Sequence, residues 1–73
     1  MYLTFEAEYQ DENDKTHVED CADLASARSY ARRVSRKTGA LVYVVATNAS
    51  GERVGAECYA YGRRDHTEGR VAA

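Results

Sequence analysis

The chain has 73 residues, 44% of them hydrophobic and 30% charged, which is the composition of one small globular domain. It has no apolar run near the roughly 20 residues of a membrane-spanning helix, and no basic segment precedes an apolar stretch as in a secretory signal. Two cysteines without close spacing are too few for a disulfide scaffold, so the sequence predicts a soluble, cytoplasmic protein.

Charge is distributed unevenly along the chain, although the net charge is only −2. Residues 1–24 carry eight acidic side chains and one lysine, a net charge of −7, whereas residues 25–73 carry nine basic and four acidic side chains, a net charge of +5. Such an asymmetry bears on the choice of partner more than on the fold. Whether it persists in three dimensions depends on which strands lie beside the basic segment.

The first predicted element is a β-strand over residues 2–9, where apolar side chains such as Leu3 and Phe5 alternate with polar ones. Turn-forming residues follow at 10–14, because their short polar side chains can bond their own backbone. Residues 15–19 then either return as a short second strand or belong to a plain loop. The pattern leaves both open.

A helix is predicted next. Asp20 is predicted to cap its N-terminus, because aspartate is a favoured N-cap residue, and Asp23 follows three residues later at the spacing of a capping box. Gly39 can adopt the left-handed conformation of a helix C-cap. The apolar stripe of the helix consists of Leu24, Ala27, Ala31 and Val34. The small side chains of this stripe predict that the helix packs closely against a sheet.

Two further strands are predicted over residues 41–47 and 53–61, joined as an antiparallel hairpin by a short loop. In the second of them, alternation directs one set of small apolar side chains to the core: Val54, Ala56, Cys58 and Ala60. The side chains of Glu57, Tyr59 and Tyr61 are then predicted to point the other way. Residues 63–73 have no periodicity and are predicted to form a mobile tail.

The predicted fold is α+β, with a single helix packed on a mostly antiparallel sheet of three to four strands in the order β-β-α-β-β. Residues 1–62 form this domain. One helix covers only one face of the sheet, so the other face is predicted to be open and to carry Glu57, Tyr59 and Tyr61. The strand at residues 41–47 is apolar on both faces, which leaves its orientation open. If Tyr43 points outward with Leu41 and Val45, the open face has an apolar and aromatic centre. Such a patch is typical of an interface with a partner protein, or with a second copy of the chain in a homodimer.

Patterns for catalysis and for metal binding do not occur in the sequence. It contains no nucleophile elbow, zinc-protease motif or phosphate-binding loop. The histidines and cysteines, His17, Cys21, Cys58 and His66, lack the paired spacing of zinc ligands, and the acidic turn at 11–14 lacks the glycine of a calcium loop. The sequence therefore predicts that the protein is not an enzyme and has neither a cofactor nor a metal site.

The predicted helix suggests an alternative function, because it carries a row of basic residues: Arg28, Arg32, Arg33, Arg36 and Lys37. Such a row can follow phosphates, so the alternative is a nucleic-acid-associated regulator. The overall pI of about 5.6 argues against this function, since a dedicated nucleic-acid-binding domain typically has a pI above about 9. Cations at the end of a helix also have a structural role, because they oppose its dipole.

The order of the elements resembles that of small phage-encoded anti-CRISPR proteins of the β-β-α-β-β kind, which inhibit type I surveillance complexes. The matching segments are the strand end at residues 16–19, the helix opening at 23–28 and its close at 32–35, Gly39, and the strand end at 59–61. This resemblance covers residues 1–62. It implies a non-enzymatic inhibitor that docks on the nucleic-acid-binding surface of a Cas subunit in the cytoplasm of the host cell. The acidic residues Asp11, Glu12 and Asp14 and the tyrosine face would then contact the partner.

Overall fold

Five antiparallel strands and one helix make up residues 2–71, the part of the chain that the computed structural model describes. In chain order the elements are β1 (Leu3–Gln10), β2 (Thr16–Cys21), α1 (Leu24–Thr38), β3 (Val42–Asn48), β4 (Arg53–Ala60) and β5 (Arg63–Gly69). The strands form one sheet in the order β2-β1-β3-β4-β5. The predicted α+β class is confirmed, whereas the predicted three to four strands are too few. Within residues 2–71, no helix has the length and apolarity needed to cross a bilayer.

The additional strand is β5, which takes the place of the mobile tail predicted for residues 63–73. β5 contains no apolar side chain and all its residues are exposed. Its sequence therefore lacks the apolar alternation by which a strand is predicted. Backbone pairing with β4 holds it instead, and just beyond it the N–H of Arg70 donates to the carbonyl of Val54 at 2.9 Å. Val71 is then buried, with 5% exposure. The tail prediction is therefore wrong for residues 63–71, and its last two residues lie outside the described part of the chain.

A glycine makes the close approach of this final segment possible. A Cβ atom at Gly55 would lie 2.5 Å from both the backbone nitrogen and the backbone oxygen of Arg70. Only a residue without a side chain fits at this position of β4. The chain can therefore continue past β5 and bury Val71.

The helix begins later than the sequence predicts. Because β2 continues through Cys21, Asp20 lies within the strand and does not cap α1, contrary to the prediction. The N-cap is Asp23, whose backbone is extended and whose carboxylate accepts the N–H of Ser26 at 2.8 Å. At the other end the predicted C-cap is confirmed, since Gly39 has a φ of 74° and its N–H donates to a carbonyl of the last turn.

The core lies between α1 and one face of the sheet. Its fully buried residues are Ala7, Ala27, Ala31, Val42, Val44 and Tyr59. The helix contributes only alanines to this set, so the tyrosine ring from β4 fills space that larger helix side chains would otherwise occupy. The opposite face of the sheet has no helix over it and is called the open face below.

Candidate interaction surfaces

The predicted aromatic patch does not form, because β4 faces the opposite way from the prediction. Tyr59 and Glu57 point towards α1 and are buried, with exposed fractions of 0% and 1%. Cys58, predicted to face the core, lies on the open face opposite Tyr43 in the strand register. The prediction that the side chains of Glu57 and Tyr59 lie on the open face is therefore wrong.

Glu57 is instead the centre of a buried polar network. Arg28 of α1 donates to both carboxylate oxygens, from Nε to Oε1 at 2.9 Å and from Nη2 to Oε2 at 2.6 Å. The hydroxyl of Tyr59 donates to Oε1 at 2.9 Å, and Nη1 of Arg64 donates to Oε2 at 3.3 Å. The hydrogen bonds from Arg28 are the main reason that the pKa of Glu57 lies below its ordinary value, although burial acts to raise it. The network therefore neutralises a buried charge and ties the helix to β4.

The other two predicted tyrosines lie apart from each other. Tyr43 is half-buried on the open face, where it is the register partner of Cys58. Tyr61 is 75% exposed in the turn between β4 and β5. A Cβ atom at Gly39 would lie 3.9 Å from the Tyr61 ring, which places this ring at the end of α1. Of the three predicted tyrosines only Tyr43 is on the open face, so the aromatic patch there is smaller than predicted. The homodimer through that face stays a prediction.

A shallow groove lies beside Tyr43, at the end of the sheet where β1 turns into β2. The residues that line it include Glu8, Gln10, Thr16, Leu41 and Tyr43. Leu41 is 50% exposed there. The groove thus combines an apolar side chain and an aromatic ring with a carboxylate.

Asp11 organises the β1–β2 turn from within. Its Oδ1 accepts two backbone N–H groups of the turn, at 2.9 and 3.0 Å, and its Oδ2 pairs with Nε2 of His17 at 2.8 Å. The hydrogen bond with His17 is the main reason that the pKa of Asp11 is lowered. Glu12 and Asp14, the other two predicted acidic contacts, are exposed in the same turn.

Two carboxylates that the sequence analysis did not propose as contacts oppose each other across this hairpin. Glu6 of β1 is the direct register partner of Asp20 of β2. Like charges in such positions destabilise a sheet, because the side chains of directly opposed residues point to the same face and lie close together. This pair follows from the register of the hairpin, which the turn at residues 11–14 sets. The residue pattern alone does not give that register, so the pair could not be predicted from it.

Five carboxylates of the hairpin are grouped here as the acidic hairpin surface: Glu6, Glu12, Asp14, Glu19 and Asp20. Glu6 is half-buried and the other four are exposed, and Glu19 points to the opposite face of the sheet from Glu6 and Asp20. Within residues 2–71 none of these five forms an ion pair with a cation. β2 is also an edge strand of the sheet, and Val18 on it is 54% exposed. This edge therefore presents negative charge, unpaired backbone groups and an apolar side chain together.

The helix carries a second charged feature, called here the basic helix surface: Arg32, Arg33, Arg36 and Lys37. All four are exposed, and none forms an ion pair with a carboxylate of the described chain. The guanidinium of Arg32 lies 5.6 Å from the centre of the Tyr59 ring, and that of Arg33 lies 5.5 Å from the Tyr30 ring. Arg28, the fifth predicted cation, is not part of this surface because it is engaged in the buried network.

The charge asymmetry of the sequence thus persists in the fold. The acidic hairpin surface lies on β1, β2 and the turn between them, at one edge of the sheet, whereas the basic helix surface lies on the second half of α1. Further exposed cations include Lys15 in that turn and Arg53, Arg63 and Arg64 on β4 and β5. Comparison with protein-family models, with curated protein sequences and with solved structures finds no match to this chain.

Proposed function

We propose that the protein is a non-enzymatic binding protein that docks its acidic hairpin surface on a basic surface of a partner protein. The observation that carries this proposal is the direct opposition of Glu6 and Asp20 without a compensating cation in the described chain. A sheet that keeps like charges opposed is less stable than one that does not. A partner that places a lysine or arginine between them removes this repulsion on binding.

The groove beside the hairpin supports a partner of this kind. Lysine and arginine side chains have apolar stems and charged ends. Leu41 and Tyr43 offer contact for the stem, and Glu8 lies in the same groove. Glu8 is already paired with Arg53, although at the long distance of 3.5 Å, so it can also accept a hydrogen bond from a partner.

Basic surfaces that bind nucleic acid are a large class of possible targets for an acidic surface. The resemblance to anti-CRISPR proteins narrows this class to a Cas subunit of a type I surveillance complex. In that role the protein acts in the cytoplasm of the host cell and keeps target DNA out by occupying its cationic site.

A binding experiment with a purified type I surveillance complex tests the proposal. The protein is immobilised, the complex is the analyte in biolayer interferometry, and double-stranded target DNA is the competitor. We expect binding that DNA competes away and that weakens as the salt concentration rises. In the Glu6→Gln/Asp20→Asn variant the affinity should fall at least tenfold while the melting temperature rises or stays equal, because the repulsion is gone.

The matched control is Glu52→Gln/Glu68→Gln, which removes the same charge from exposed positions outside the hairpin. It should leave the affinity unchanged. An equal loss in both variants would mean that only net charge matters, and an absence of binding to the complex would reject the Cas subunit as the partner.

The second candidate function is nucleic-acid binding by the basic helix surface. The specific observation in its favour is that four neighbouring cations lack carboxylate partners in residues 2–71. Fluorescence anisotropy with DNA and RNA at about 50 and about 200 mM salt tests it. Binding that is sensitive to salt and is lost in Arg32→Glu/Arg36→Glu, but not in the charge-matched Lys15→Glu/Arg63→Glu, would support this function over the first.

A further inference from the structure

A second functional feature lies on the open face, at the edge of the sheet opposite the acidic hairpin. Cys58 of β4 and His66 of β5 are direct register partners, so their side chains share this face. The register between β4 and β5 shifts next to this pair, between Cys58 and Tyr59. The shift places an additional residue, Asp65, beside His66.

The shift brings three different donor atoms together. The Cys58 sulfur, a nitrogen of His66 and a carboxylate oxygen of Asp65 all lie within 4.8 Å of one another. In a tetrahedral zinc site with bond lengths of about 2.0 to 2.3 Å, donor atoms are separated by roughly 3.5 Å. Small side-chain rotations therefore suffice to place all three atoms around one ion.

The chemistry of the donors favours zinc. A thiolate sulfur, an imidazole nitrogen and a carboxylate oxygen are the three ligand types that zinc uses in proteins. Harder cations such as magnesium and calcium prefer oxygen alone. Burial distinguishes the donors, because Cys58 is 1% exposed whereas Asp65 and His66 are exposed. An ion would therefore lie above the sheet, with the sulfur below it and a position open to water.

The surrounding groups fit the same arrangement. Tyr43 of β3 is the register partner of Cys58 on the other side of β4, and Nδ1 of His66 is 2.8 Å from Oδ2 of Asp65, so the imidazole and the carboxylate already face each other. The same three residues do not make an effective nucleophile, because Cys58 is buried.

We propose that Cys58, Asp65 and His66 bind one zinc ion, which links β4 to β5. This set differs from the one considered on composition, because His17 and Cys21 lie on β2, at the other edge of the sheet. A zinc ion at this position would strengthen the attachment of β5, whose own residues are all exposed. The site does not depend on the proposed function of the acidic hairpin surface.

Titration of the reduced full-length protein with zinc chloride in a calorimeter, and with cobalt(II) in an absorption spectrometer, tests the site. We expect one ion per chain and a thiolate-to-cobalt charge-transfer band in the near ultraviolet. His66→Ala changes an exposed side chain and should weaken zinc binding at least tenfold, and Cys58→Ser should abolish the cobalt band. Zinc should raise the melting temperature of the wild type and not that of His66→Ala.

The matched controls are His17→Ala and Cys21→Ser, which change the other histidine and the other cysteine of the chain. Both should bind zinc with wild-type affinity. An absence of zinc binding, a cobalt spectrum without a thiolate band, an equal loss of affinity in the controls, or one ion for every two chains would each overturn the proposal.

Discussion

Glu57 carries a charge in the interior of a chain of only 73 residues, and its partners come from three different elements. Arg28 belongs to α1, Arg64 to β5 and Tyr59 to the same strand as Glu57. An ion pair of this kind adds little stability compared with well-packed apolar side chains, but its partners are costly to separate. The network therefore acts mainly to fix which face of β4 meets the helix.

Replacement of Glu57 by Gln leaves the guanidinium of Arg28 without its anion. We expect the free energy of unfolding to fall by about 3 kcal/mol, because an unpaired charge remains in a largely buried site. Urea unfolding followed by circular dichroism measures this change. The control is Glu52→Gln, at an exposed position, which should stay within about 0.5 kcal/mol of the wild type. An unchanged unfolding midpoint in Glu57→Gln would contradict the role of the network.

The same residue makes stability depend on pH. Arg28 holds the pKa of Glu57 in the folded chain below its ordinary value of 4.5, so the unfolded chain binds the proton more readily than the folded chain. The stabilisation is therefore present above about pH 4.5 and is lost as the pH falls below it, towards the folded pKa.

We expect the free energy of unfolding of the wild type to fall more steeply below this pH than that of Glu57→Gln, which has no proton to bind at this position. Urea unfolding at a series of acidic pH values measures both slopes. The lowered pKa values of Asp11 and Asp23 contribute equally to both proteins and cancel in the comparison. Parallel pH profiles would show that Glu57 does not contribute.

At the scale of elements, the start of α1 shows how two neighbouring carboxylates take different roles. Asp23 accepts a backbone N–H of the first helical turn, whereas Asp20 remains in β2 and opposes Glu6. Both have the residue type and the position of an N-cap in the sequence. The pairing of β2 with β1 extends through Cys21 and thereby decides between them.

Replacement of each aspartate by alanine separates the two roles. We expect Asp23→Ala to lower the melting temperature by about 5 °C, because the first helical turn loses its cap. Asp20→Ala should leave the melting temperature unchanged or raise it, because it removes the repulsion with Glu6. Thermal unfolding followed by circular dichroism measures both variants, and equal losses would mean that the helix start is wrongly assigned.

At the scale of the whole molecule, β5 decides whether β4 is an edge strand or an interior strand of the sheet. Without it β4 would be an edge strand, although Cys58 and Tyr59 on it are almost fully buried. With it, β4 is paired on both sides, and the segment after β5 buries Val71. The polar C-terminal region is thus part of the folded domain.

A chain that ends at Gly62 tests this contribution. We expect it to lose cooperative thermal unfolding, because β4 loses its pairing on one side and the contact with Arg64 disappears. Val71→Asp tests the same region without a deletion and should lower the melting temperature, whereas Arg63→Asp, at an exposed position of β5, should not. Wild-type unfolding of the shortened chain would restore the interpretation of this region as a tail.

The sequence by itself determined the features that depend on local periodicity. These are the alternation in β1, the stripe of small residues in α1, the C-cap at Gly39 and the α+β class. It also identified two exposed members of the acidic hairpin surface, Glu12 and Asp14, and the four exposed cations of the helix, because a charge run without apolar neighbours remains in water.

Only the tertiary structure decided the features that need a partner from a distant element. Apolar alternation favours Cys58 as the inward residue of β4, but Arg28 is a strong enough partner for Glu57 to reverse that choice. β5 has no apolar face, so backbone pairing with β4 and the contact of Arg64 with Glu57 hold it in the sheet. Strand register in turn decides that Glu6 opposes Asp20 and that Cys58 meets His66, since a shift of one residue would move each side chain to the other face of the sheet.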